Sequence, residues 1–97
     1  MARYIALMKL TQEGIKDIKN APQRIEQAIA GMGALGGKLV DFYMVMGEYD
    51  YVAVAEFPND EAGMTFLLAL GSLGNVRTTT LRAFDREQLV ELVKKVP

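Results

Sequence analysis

The sequence contains no cysteine and no histidine. Without cysteine there is no disulfide, no thiolate nucleophile and no Cys-ligated zinc or iron–sulfur centre. Without histidine the chain lacks the commonest general base and the commonest transition-metal ligand. No metal site and no cofactor are expected. Charge of one sign is also missing: the formal net charge is -1, and no five like charges run together. Non-specific nucleic-acid binding needs a basic surface, so no nucleic-acid partner is expected. Long hydrophobic runs are absent as well. The apolar stretch from Met1 to Leu10 is broken by Arg3 and Lys9, too short and too interrupted for a signal peptide or a membrane span. No membrane partner is expected, and the anticipated location is cytoplasmic.

What is present is a chain of 97 residues with 51% hydrophobic content, the length of a single domain spanning residues 1–97. So much apolar surface on so short a chain points to association, because small domains bury a modest share of their surface alone. The pattern reads as strand, helix, strand, strand, helix, strand and an added helix. Arg3 to Leu10 is apolar on both faces, as a central strand is. Thr11 to Ala21 is a polar connection with room for a helical turn, and Pro22 marks a helix start. Ile25, Ala28, Ile29 and Met32 recur at helical spacing, and Gly36 and Gly37 close that helix. Strands follow at about Lys38 to Met46 and Tyr51 to Phe57, joined by the hairpin loop Gly47-Glu48-Tyr49-Asp50. Pro58 ends the third strand, and Asn59 or Asp60 caps a helix with Phe66, Leu67, Leu70 and Leu73 on its buried side. Val76 to Phe84 is the fourth strand. Asp85 and Gln88 have capping-box spacing ahead of a final helix striped with Leu89, Leu92, Val93 and Val96. Right-handed crossovers of two such units give an α+β fold, a ferredoxin-like βαββαβ sandwich with an antiparallel sheet, both main helices on one face, and an extra C-terminal helix.

Strand residues alternate between faces, so each strand divides into two rows. Placing the uncharged rows under the helices puts Tyr4, Ala6, Met8 and Leu10 there, with Val40, Phe42, Met44 and Met46, then Tyr51, Ala53, Ala55 and Phe57, then Thr79, Leu81 and Ala83. The open face then carries an apolar middle of Ile5, Leu7, Tyr43, Val45, Val52 and Val54, with Leu39 in the same row. Its expected polar rim is Lys9, Asp41, Glu56, Thr78, Thr80 and Arg82. An apolar middle of this size calls for a cover, and sheet-on-sheet packing with a second copy supplies one. A homodimer or higher homo-oligomer is therefore expected.

The chain resembles the GYD-domain family over nearly its whole length. The resemblance is carried by Leu10-Thr11-Gln12-Glu13-Gly14-Ile15, Ile18-Lys19-Asn20-Ala21-Pro22-Gln23-Arg24, Gly36-Gly37, Met46-Gly47-Glu48-Tyr49-Asp50, Glu56 to Glu61, and Gly74 to Phe84. It implies a ferredoxin-like domain of the dimeric α/β-barrel kind and brings fold more than function. A looser resemblance is to the ligand-binding domain of leucine-responsive regulators. That domain pairs a Gly-x-Tyr-Asp hairpin with a Gly-Val-x-x-Thr-x-Thr strand and binds amino acids between subunits. Here Asn75 interrupts the Gly-Val pair, and these 97 residues hold no helix-turn-helix ahead of the domain, so ligand sensing is compatible with the resemblance and direct gene regulation is not expected.

Two groups of residues are candidates for a ligand site. The loop Gly47, Glu48, Tyr49 and Asp50 can present backbone N–H groups to an anion; equally, it is a hairpin whose glycine takes positive φ and whose Asp50 bonds its own backbone. Thr78, Thr80 and Arg82 share one strand face. With Asp41, Tyr43 and Glu56 they would form a polar pocket for a small carboxylate or carbonyl compound, arginine being suited to carboxylates by its fork of donors. The competing reading is a threonine-rich strand favoured by β-branching, with Arg82 paired to Glu56 or Asp41. Function then divides three ways. The first is an oligomeric, non-catalytic protein binding a small molecule at the sheet or subunit interface. The second is a cofactor-free isomerase or monooxygenase of the dimeric α/β-barrel type, working through Asp41, Tyr43, Glu56 or Arg82, a carboxylate with raised pKa serving as base. The third is a structural interaction module.

Overall fold

The computed structural model describes residues 1–97. Strand β1 (Ala2–Leu10) leads through α1 (Gln12–Lys16) and a single 3-10 turn (Ile18–Asn20) into α2 (Ala21–Ala34). Strands β2 (Lys38–Met44) and β3 (Tyr51–Phe57), helix α3 (Asp60–Ser72), strand β4 (Val76–Ala83) and helix α4 (Arg86–Val93) follow. The sheet runs β2-β3-β1-β4, and every neighbouring pair is antiparallel. This is the expected α+β, ferredoxin-like architecture.

Local chemistry sets the helix ends. Thr11 caps α1 by accepting from the Gly14 amide, and its own hydroxyl donates to the Gly74 carbonyl at 2.5 Å. The Thr11 amide also donates to the Asn75 carbonyl at 3.0 Å, which latches α1 onto the start of β4. Gly14 permits that approach, because a Cβ there would lie 2.1 Å from the Asn75 oxygen. Asn59 caps α3 through the Ala62 amide, and Asp85 with Gln88 forms the reciprocal box that opens α4.

Burial is thin. Nine apolar side chains are buried: Ala21, and two clusters of four, Met8, Tyr51, Ala53 and Val76, and Met32, Ala55, Phe57 and Phe66. No polar or charged residue is buried as a whole. Helix α4 leaves this core altogether, and Leu89, Val90, Leu92, Val93 and Val96 are 45–69% exposed.

The register corrects three expectations about which residues face the helices. Strand β2 ends at Met44, and Met46, expected in the core row, is 99% exposed. An irregularity between Leu39 and Asp41 takes Val40 out of step. Leu39 therefore lies opposite the core residue Ala55 and packs in the core, whereas simple alternation put it on the open face. Strand β4 is inverted relative to the polarity rule. Thr80 lies opposite Ala6, Thr78 opposite Met8 and Arg82 opposite Tyr4, so this row faces the helices, and Thr79, Leu81 and Ala83 face away. The reason is that β4 is an edge strand. Its helix-side anchor is buried Val76, and Arg82 reaches out to Asp60 at the start of α3, so polar groups on that row keep partners or solvent.

Candidate functional site

The open face of the sheet is built from four rows. Asp41–Val54–Ile5–Leu81 and Tyr43–Val52–Leu7–Thr79 cross the middle, Lys38–Glu56–Arg3–Ala83 forms one end, and Lys9–Arg77 the other. Its apolar centre is Ile5, Leu7, Val52, Val54 and Leu81, with Tyr43 at the edge; Leu81 is 49% and Tyr43 58% exposed. At the first end, Glu56 accepts from Arg3 at 3.2 Å and lies 3.6 Å from the Lys38 ammonium. The Arg3 hydrogen bond, followed by the charges of Arg3 and Lys38, outweighs partial desolvation and holds the Glu56 carboxyl below the usual glutamate range. A general base needs the opposite shift.

The register divides the expected polar pocket. Asp41, Tyr43 and Glu56 stand on the open face, whereas Thr78, Thr80 and Arg82 stand on the helix side. Arg82 is committed there. Its Nε lies 3.8 Å from Asp60, its guanidinium sits 4.8 Å above the Phe84 ring and 5.6 Å above the Tyr4 ring, and it donates to the Ala83 carbonyl. Asp60 also accepts a hydrogen bond from the Tyr4 hydroxyl. Burial first, then Asp60, raises the Tyr4 pKa and keeps the phenol neutral.

The Gly47–Asp50 loop is tied to β1. Gly47 takes φ +105°, a conformation that glycine adopts without strain. The Asp50 carboxylate accepts from the Leu10 amide at 2.8 Å, and the Asp50 amide donates to the Met8 carbonyl at 2.8 Å. Asp50 thus clamps the loop across to β1 and does not bond its own backbone. Glu48 lies 3.5 Å from Lys9, whose ammonium also sits 5.5 Å from the Tyr49 ring centre.

A feature that sequence reasoning missed lies between the sheet and the two main helices. A cavity of about 560 Å³ is lined by 28 residues, 21 of them hydrophobic, from α2, α3 and the helix side of the sheet. Its floor is the cross-strand row Phe42–Ala53–Ala6–Thr80, with Ala55 alongside. The available signal was alanine at positions 6, 53 and 55, where central strands beneath helices ordinarily carry larger side chains. The space is a cleft that opens to solvent on part of its boundary.

No three carboxylates converge to hold a metal ion, and no helix is long and apolar enough to cross a membrane.

The arrangement defines a ferredoxin-like α+β domain with one apolar sheet face, and comparison with known structures agrees. A structure described as FFRP-DM1 superposes with a TM-score of 0.61 at 19% identity, over 87% of this chain and 100% of that one. TTHA0845 of Thermus thermophilus superposes with a TM-score of 0.56 at 24% identity, over 88% and 95%. These likenesses establish the fold. The sequence model of the GYD domain matches residues 4–93, and the chain belongs to the GYD domain family. A relative from Thermus thermophilus is 32% identical over 95 residues, covering 97% of this chain and all of the relative. That relative is described as a glutamine synthetase and cystathionine beta-lyase binding protein.

Proposed function

We propose that this chain is a non-catalytic protein-binding module that works as a homodimer, the second copy covering the open sheet face. The observation that carries the reading is that face itself: an uncharged middle of Ile5, Leu7, Val52, Val54 and Leu81 opposite a sheet side already covered by helices. Four strands spaced about 4.8 Å apart and about 25 Å long offer on the order of 500 Å² in projection, before side-chain relief is counted. That approaches the roughly 800 Å² per partner of a stable interface. A second copy suits it because the charges stand around the uncharged middle, Glu56 with Arg3 and Lys38 at one end, Asp41 at the β2 edge, and Lys9 with Arg77 at the other end, so two such faces meet first through apolar side chains.

Covering the sheet leaves α4 as an exposed apolar surface, and a dimer would carry two such arms. Their stripe of Leu89, Leu92, Val93 and Val96 suits docking into a groove on a partner protein. The relative described as binding two enzymes supports a role of this kind. Small-molecule binding at the sheet face fits less well, since Arg82, Thr78 and Thr80 stand on the other side. The test is capture of purified glutamine synthetase and cystathionine β-lyase on the immobilised chain. Wild type retains at least one of them, and Leu89→Glu with Val93→Glu, on an exposed helix that leaves the fold intact, releases it. Retention of neither enzyme by the wild type, or equal retention by the double variant, overturns the reading.

A further inference from the structure

The cavity on the helix side is separate from the face proposed for the second copy, and its chemistry is specific enough to state an occupant. Three alanines and a threonine occupy the middle of a sheet that two helices cover, so the space follows from residue choice and not from helix splay alone. The only charged side chain lining it, Arg24, is engaged: it donates to the Asp17 carbonyl and carboxylate at 2.8 and 3.0 Å and to the Gly14 carbonyl at 3.2 Å. An ionised ligand would therefore enter without a partner for its charge, at a prohibitive desolvation cost. Thr80 supplies the one irregularity. Its side chain lines the cavity, yet its hydroxyl is shielded from solvent and has no hydrogen-bond partner. Buried hydroxyls ordinarily have one. A threonine has staggered χ1 alternatives, and a rotation between them turns this hydroxyl toward an occupant.

We propose that this cavity is a binding site for a neutral, mainly apolar small molecule carrying one hydrogen-bonding oxygen, a carbonyl or a hydroxyl, which Thr80 receives. The volume falls within the roughly 300–1,000 Å³ typical of small-molecule pockets. The proposal does not depend on the dimer, because the lining comes from one chain and none of it belongs to the open face.

Nile red, a neutral dye with a carbonyl oxygen that brightens in apolar surroundings, is a direct probe by fluorescence titration of the full chain. One saturable site per chain is expected. Ala6→Phe, and independently Ala53→Phe in case the first does not fold, fill the floor and weaken binding at least tenfold. Thr80→Val keeps the shape but removes the donor. It weakens binding roughly five- to tenfold while raising the Tm of the free chain, because an unpartnered buried hydroxyl is replaced by a methyl group. Val54→Lys on the open face leaves the affinity unchanged. Absence of a saturable site, wild-type affinity in folded Ala6→Phe or Ala53→Phe, or loss of the dye with Val54→Lys overturns the site. Unchanged affinity in Thr80→Val overturns the role given to its hydroxyl.

Discussion

Two glycines on helices of this chain have opposite reasons for being there, and replacing each by alanine should move stability in opposite directions. In Gly14→Ala the new Cβ would lie 2.1 Å from the Asn75 oxygen, 3.0 Å from the Asn75 carbonyl carbon and 3.1 Å from a Leu10 methyl. The oxygen cannot retreat cheaply, because it accepts the Thr11 amide at 3.0 Å, while Thr11 Oγ1 holds the adjacent Gly74 carbonyl. Helix α1 must instead back away by about 1 Å or more, stretching both latch bonds and the one from Arg24 to the Gly14 carbonyl. Three weakened hydrogen bonds at about 1 kcal/mol each, less about 1 kcal/mol of gained helix propensity, leave a net loss of about 2 kcal/mol. For a domain of this size that corresponds to a Tm lower by roughly 8–16 °C. Gly31 in α2 has nothing within 4 Å of the same added atom. Gly31→Ala should therefore show only the propensity gain, about 0.5–1 kcal/mol and a higher Tm. Thermal melts followed by circular dichroism read both. A Gly14→Ala variant as stable as wild type would refute the latch, and a destabilised Gly31→Ala would refute the reading of open space.

Other consequences follow from the same contacts. Val54→Lys puts a charge at the centre of the open face, where desolvation in a face-to-face pair costs several kcal/mol; the variant should be monomeric by light scattering and keep a wild-type circular dichroism spectrum. Glu56 has its carboxyl pKa lowered in the folded chain, so its stabilisation is present above the usual glutamate value of 4.5 and is lost as pH falls through that value toward the lower folded one. In Glu56→Gln the Tm should consequently fall less steeply on acidification than in wild type. Asp50→Ala leaves the Leu10 amide without its acceptor and should cost about 1–2 kcal/mol, with faster hydrogen exchange at Leu10 and through the Gly47–Asp50 loop.

Much of the fold was legible because local and periodic signals agreed. The cap at Asn59, the box of Asp85 and Gln88, the positive φ of Gly47 and the alternating burial from Tyr51 to Phe57 all stand where the residues place them. The site was less legible, for two physical reasons. Alternation counts residues, so one irregular residue at Val40 moved Leu39 from the open face to the core. Polarity also misplaces an edge strand. In β4, a row of Thr78, Thr80 and Arg82 is tolerable beneath the helices because Arg82 finds Asp60 across the chain, a contact 22 residues away in sequence that no spacing rule reports. Buried Val76 in the same row was the signal that outweighed the threonines. The cavity was invisible to any rule that asks only whether core positions are apolar, since alanine satisfies the rule and leaves the space.

A second copy over the open sheet face would make the native particle a dimer. The mass of the native chain, measured by light scattering across micromolar concentrations, tests it most directly. A homodimer gives twice the chain mass of 10.7 kDa for wild type. A particle of 10.7 kDa throughout that range would contradict it.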